Sequence, residues 1–96
     1  MREARVENRL VALVNGVGGE IRKVKWLGRR GAPDRYVMLP GRWALPPKSV
    51  WVELKAPGKT VDRHQQAEHE RLRAFGQEVY VLDTIEAVDA FMKGYV

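Results

Sequence analysis

Val6, Leu10, Leu13, Val14 and Val17 recur at helical spacing over residues 2 to 15, with Arg2, Arg5 and Arg9 elsewhere on the turn. The pattern predicts an amphipathic helix that stops at Asn15-Gly16, where glycine suits a left-handed cap, before Gly18-Gly19 reverses the chain. Residues 20 to 27 alternate imperfectly and present one basic face, which predicts a strand. Gly28 to Pro33 is a loop by composition, and Arg35 to Leu39 resumes an extended apolar run ending at Pro40-Gly41. The strongest strand signal is Ser49 to Lys55, joined to the preceding run by a connection whose length allows a hairpin. Side chains alternate along a strand, so Val50, Val52 and Leu54 share one face while Trp51, Glu53 and Lys55 share the other.

After the Pro57-Gly58 turn, Asp62 can cap a helix over residues 63 to 75, with Gln65, His69, Leu72 and Phe75 near one side. Gly76 ends it. Val79 to Leu82 reads as a short buried strand, and Thr84 caps a terminal helix carrying Ala87, Val88, Phe91 and Met92. The expected order is αβββαβα without internal repeats, an α/β fold with a central mixed sheet flanked by helices. Ninety-six residues suffice for one small domain, 1–96, and one modest core.

Composition narrows the chemistry. No apolar run approaches the roughly 20 residues needed to span a bilayer, and Met1 to Arg5 lead into the first helix without the layout of a secretory signal. Cytoplasmic residence is expected. The absence of cysteine leaves oxygen or imidazole ligands for any metal, which favours a hard ion such as magnesium or manganese. The net charge of +5 is unevenly distributed: residues 22 to 59 hold ten lysines and arginines against two acids, hence +8, and the remainder about −3. That basic half is a candidate phosphate-binding surface.

The two acids in it are Asp34 and Glu53. Hydrolysis of a phosphodiester needs charge neutralisation and an aimed water, which a cation held by one or two carboxylates beside an ammonium group supplies. In a hairpin from about residue 35 to 55, Asp34 and Glu53 can lie side by side, with the Leu54 carbonyl as a further oxygen and Lys55 pointing into the same space. Glu-x-Lys also occurs as an ordinary solvated strand face, with Asp34 a turn residue. His64 and His69 are five apart, which does not suit a shared metal site, and a solvated or interfacial role is expected for both. The glycines of residues 15 to 19 follow a helix and lack Gly-Lys-Ser/Thr, so they read as a turn rather than a phosphate loop. Trp26, Trp43 and Trp51 read as packing residues.

Several motifs together resemble the stand-alone, phage-type VRR-NUC domains of the PD-(D/E)XK nuclease superfamily, with its restriction-endonuclease-like fold. They are Val6-Glu7-Asn8-Arg9-Leu10-Val11, Gly31-Ala32-Pro33-Asp34-Arg35, Val52-Glu53-Leu54-Lys55-Ala56-Pro57-Gly58, a glutamine early in the next helix, and Leu72-Arg73-Ala74-Phe75-Gly76. The resemblance covers nearly the whole chain. It implies that Asp34 and Glu53 bind metal, that Lys55 is the catalytic cation, and that Glu7 and Gln65 support them, with Glu3 and Gln66 as rivals. Lys23, Lys25, Arg29, Arg30, Arg35 and Lys59 are the expected phosphate contacts. The implied reaction is Mg2+- or Mn2+-dependent DNA hydrolysis leaving a 5′ phosphate. Stand-alone members are associated with branched DNA, and a four-way junction with two equivalent strands suits a homodimer. A Holliday-junction-resolving endonuclease of phage or prophage origin is therefore expected, against a flap or duplex nickase or a non-catalytic DNA-binding module.

Overall fold

The computed structural model describes residues 3–96, so Met1 and Arg2, and with them the place expected for Arg2 on the first helix, lie outside the described residues. The elements are α1 (Glu3–Gly16), β1 (Glu20–Lys23), β2 (Arg35–Leu39), β3 (Lys48–Leu54), α2 (Arg63–Ala74), β4 (Val79–Leu82) and α3 (Ile85–Met92). They form one mixed sheet in the order β1-β2-β3-β4. The β1–β2 and β2–β3 pairs are antiparallel, and β3–β4 is parallel with α2 as the crossover. The αβββαβα order and the mixed sheet are those expected from the pattern.

The core lies on one face of this sheet. Val6, Leu10 and Val14 recur every fourth residue of α1 and are fully buried, and they pack with Val37, Val50, Val52, Leu54 and Leu82 of the sheet and Val88 and Met92 of α3. A bond from Arg9 Nε to Asp89 Oδ1 at 2.9 Å ties α1 to α3 at the surface. Fully burying each such aliphatic side chain contributes about 1.5–3 kcal/mol, so this layer supplies most of the fold's cohesion.

The opposite face is covered by α2, whose buried residues are Glu68 and His69 rather than aliphatics. α2 begins with a capping box: Asp62 Oδ1 accepts from Gln65 N at 2.8 Å and Gln65 Oε1 accepts from Asp62 N at 3.0 Å. Phe75, expected near one side of this helix with Gln65, His69 and Leu72, is the exposed C-cap residue.

Two boundaries differ from expectation. α1 runs through Gly16, and Gly18, at φ +79°, is the left-handed residue that turns the chain. β1 stops at Lys23 rather than near residue 27. Val24 N still donates to Asp34 O at 2.9 Å, but Trp26 then folds back so that its Nε1 donates to Pro33 O at 2.7 Å. The closed loop that results returns the chain to Asp34.

That loop touches α2 at Gly31, which has φ +82° and where a Cβ would fall 2.6 Å from the His64 carbonyl carbon. Gly58 shares the φ of +82° but has nothing within 4 Å. Gly58→Ala should therefore cost only the about 1–2 kcal/mol of a left-handed alanine, and Gly31→Ala clearly more. Urea unfolding of the two variants checks this, and equal losses would refute a tight loop–helix contact.

Candidate functional site

The site follows from strand register. Arg35 pairs with Val52 across β2–β3, so the next position in each strand sets Asp34 opposite Glu53. Asp34 is held there by its carbonyl, which accepts from Val24 N. Lys55 lies two residues beyond Glu53 on the same face, and its N–H donates to Leu82 O at 3.0 Å, extending the β3–β4 ladder. The Leu54 side chain is buried in the core, and its backbone carbonyl lies between Glu53 and Lys55 along the strand.

Glu53 is only 8% exposed, whereas the Asp34 side chain is half-exposed. Burial, together with Asp34 across the strand pair, pushes the Glu53 carboxyl up to about 7; the Lys55 ammonium opposes this, while Glu3 and Asp62 reinforce it. A buried acid facing a second carboxylate is a place where an added cation relieves repulsion. Among the described residues no three His, Asp or Glu side chains form a metal cage. Two carboxylates and a carbonyl fit a hard ion that keeps several waters, as magnesium does, and do not fit a closed zinc site.

The expected supporting residues are reached by different routes. Glu7, on α1, is partly buried and accepts from Arg35 Nε at 2.8 Å and also from its Nη2, while Arg35 Nη1 lies 2.8 Å from Asp34 Oδ1. Arg35 thus links Glu7 to Asp34. At 8% exposure and engaged by two carboxylates, it is not an open phosphate contact, which corrects the expectation for that residue. It follows from the alternation that aims Arg35 toward the same side as Val37 and Leu39. Gln65 is half-buried and its side-chain carbonyl is committed to the capping box, while Gln66 is exposed.

Among the other basic residues, Arg29 is clamped to Glu68 of α2, with Nε and Nη2 at 3.2 and 2.6 Å from its carboxylate oxygens. This ion pair holds the Glu68 carboxyl below its ordinary range. Lys23, Lys25, Arg30 and Lys59 are exposed. Lys23, Lys25, Arg29 and Trp26 line a cleft of about 560 Å³ that ends at Asp34. Trp26 also meets Trp51 at 4.9 Å between ring centroids, and Tyr36 meets Trp51 at 4.6 Å, so two of the tryptophans pack on the sheet face that carries Glu53.

His69 is the residue that sequence reasoning misjudged. Expected to be solvated or interfacial, it is 1% exposed with Nε2 3.2 Å from Glu53 Oε1. Burial, then the nearby Arg73 and Lys55 charges, lower its pKa and favour the neutral ring. The available signal was its spacing: His69 lies four residues after Gln65 and three before Leu72, on the inward side of α2.

No family model matches the chain. It is similar to a solved structure described as a VRR_NUC domain, at 35% identity and a TM-score of 0.82, over 98% of this chain and 97% of that one. It is also 44% identical over 84 residues to "Putative nuclease p44" of Acyrthosiphon pisum secondary endosymbiont phage 1, covering 88% of this chain and 85% of that protein.

The raised Glu53 pKa has a stability consequence. Between about 4.5 and about 7 the folded protein holds a proton that the unfolded chain has lost, so metal-free stability falls as pH rises through that window, by on the order of 1–3 kcal/mol. Glu53→Gln, which mimics the protonated acid, should melt at least about 4 °C above wild type at pH 8, with the gap closing toward pH 4. Parallel melting curves across that range would contradict a buried, strained carboxylate.

Proposed function

The chain belongs to the VRR-NUC nuclease family, and from that premise we propose that it is a divalent-metal-dependent endonuclease that hydrolyses phosphodiesters in branched DNA. The observation that carries this reading is the Arg35–Val52 register, which one step further on sets Asp34 opposite the buried Glu53, with Lys55 on the same face. Asp34, Glu53 and the Leu54 carbonyl would hold Mg2+ or Mn2+. The ion, when bound, supplies Lewis-acid neutralisation of the phosphate.

The protein's own groups do the positioning. Lys55 Nζ brings a positive charge to the face where the phosphate docks and stabilises negative charge that develops on its oxygens. Glu7 acts through Arg35, whose guanidinium fixes the rotamer of Asp34. Gln65, through the capping box, sets the start of the helix that closes the site. Lys23, Lys25, Arg30 and Lys59 remain open to phosphates, with Arg29 half-available at the cleft. Such contacts read backbone and shape rather than base identity.

We extend the reading to a four-way junction cut by a homodimer. Its support is an exposed apolar face: Trp43 is fully exposed at a groove of about 670 Å³ lined also by Leu13, Val17, Leu45, Tyr95 and Val96. A protruding indole next to an apolar hollow suits a two-fold contact in which each copy fills the other. The phage source of the similar nuclease supports a phage or prophage origin and work in the bacterial cytoplasm.

With Mg2+ or Mn2+, wild type is expected to cut a labelled four-way junction in preference to flap, splayed-arm and linear duplex DNA. Asp34→Ala and Glu53→Ala should abolish cutting, and Lys55→Ala should lower kcat by about 10²–10³-fold. Equal cutting of all substrates would replace the junction reading with a nickase, and metal-independent DNA binding without cutting would indicate an accessory module. Separately, Trp43→Glu should convert a dimer to a monomer in light scattering; an unchanged mass would exclude this face.

A further inference from the structure

On the polar face of the sheet His69 is almost fully buried, stands on the middle of a capped helix, and points its Nε2 at Glu53 Oε1 from 3.2 Å. Nothing in the core requires a histidine there, since the aliphatic cluster lies on the other side of the sheet. Burying an imidazole costs free energy unless its polar atoms are satisfied, and the contact with Glu53 satisfies Nε2. His64, five residues earlier, is exposed, which shows that the helix does not bury its histidines indiscriminately.

We propose that His69 is a positioning residue for the metal site: its Nε2–H donates to one oxygen of Glu53 and turns the other oxygen toward Asp34. The inference rests on the assignment of Asp34 and Glu53 as metal-holding carboxylates. A carboxylate that holds a cation is ionised and only accepts hydrogen bonds, so the imidazole nitrogen facing it must carry the proton. One Glu53 oxygen is then occupied by His69, the rotamer is fixed, and a single oxygen remains for the shared ion. Carboxylate ligands left without such a partner lose affinity because the free side chain must be ordered at the moment of binding.

The helix that carries His69 also carries Glu68, which grips Arg29 of the loop leading to Asp34. Adjacent positions on one helix therefore hold the two sides of the site, Glu53 directly and Asp34 through the loop. This explains why α2 buries polar residues where an aliphatic stripe would otherwise be expected.

The test uses the full chain without DNA, titrated with Mn2+ in a calorimeter, and a parallel measurement of KM and kcat on the cleaved DNA. His69→Leu keeps the volume and removes the donor, and should weaken Mn2+ binding by about 10–100-fold while thermal melting shows a folded protein. His69→Gln places an amide N–H near the original Nε2 and should recover affinity to within about 3-fold of wild type. The loss in the leucine variant should fall on kcat at fixed metal and be offset by excess Mn2+, with KM for DNA unchanged. Wild-type Mn2+ affinity in His69→Leu, while Glu53→Gln abolishes binding, would overturn the role of His69 alone. Wild-type affinity in Glu53→Gln would overturn the metal assignment and this inference with it. If His69→Leu unfolds, His69→Asn replaces it, since its shorter amide ends away from Glu53; equal affinity in the Asn and Gln variants would also refute the proposal.

Discussion

The register of β2 on β3 is the constraint from which the rest of the site follows. Val37, Leu39, Val50, Val52 and Leu54 are buried on one face of those strands, and a slip of one residue would turn that whole set to the opposite face. Burial of the aliphatic set thus fixes Arg35 against Val52, and the same geometry leaves Asp34 facing Glu53 one step further on. Two acids that repel each other are brought together by hydrophobic packing on the far side of the sheet. Burial first, and then the facing Asp34 charge, raises the Glu53 carboxyl above its ordinary range.

Once the carboxylates are forced together, the polar layer decides what they can do. α1 reaches them through the Glu7–Arg35–Asp34 chain, and α2 reaches them through His69 and through the Arg29–Glu68 clamp. A charged pair buried in this way contributes little net stability compared with an apolar replacement, so these contacts are better understood as orientation than as cohesion. The aliphatic face supplies cohesion, the polar face supplies geometry, and the basic cleft beside Asp34 adds positive charge next to the carboxylates.

Much of this was legible in the sequence, for identifiable reasons. The 3.6-residue period of Val6, Leu10 and Val14, the alternation from Val50 to Leu54, and the Asp62 and Thr84 caps are local signals, and the elements they announce are present. The facing of Asp34 and Glu53 could be anticipated because a hairpin has few registers that bury its apolar face. Residues whose roles depend on contacts between distant segments were harder. Arg35 sits in a run of basic residues, and only the packing of α1 against the sheet reveals that it serves Glu7 and Asp34. His69 looked like a surface histidine because its partner is 16 residues away on a strand. The early end of β1 depends on the bond from Trp26 to Pro33, which no local propensity encodes.

The central claim, that the β2–β3 register exists at its end to let Asp34 and Glu53 share one divalent cation, is tested most directly by anomalous scattering from crystals grown with Mn2+. The expected result is a single strong peak within coordination distance of one oxygen of each carboxylate, with His69 Nε2 still on the other oxygen of Glu53. A peak elsewhere in the molecule, or well-ordered Asp34 and Glu53 with no peak between them at saturating Mn2+, would contradict it.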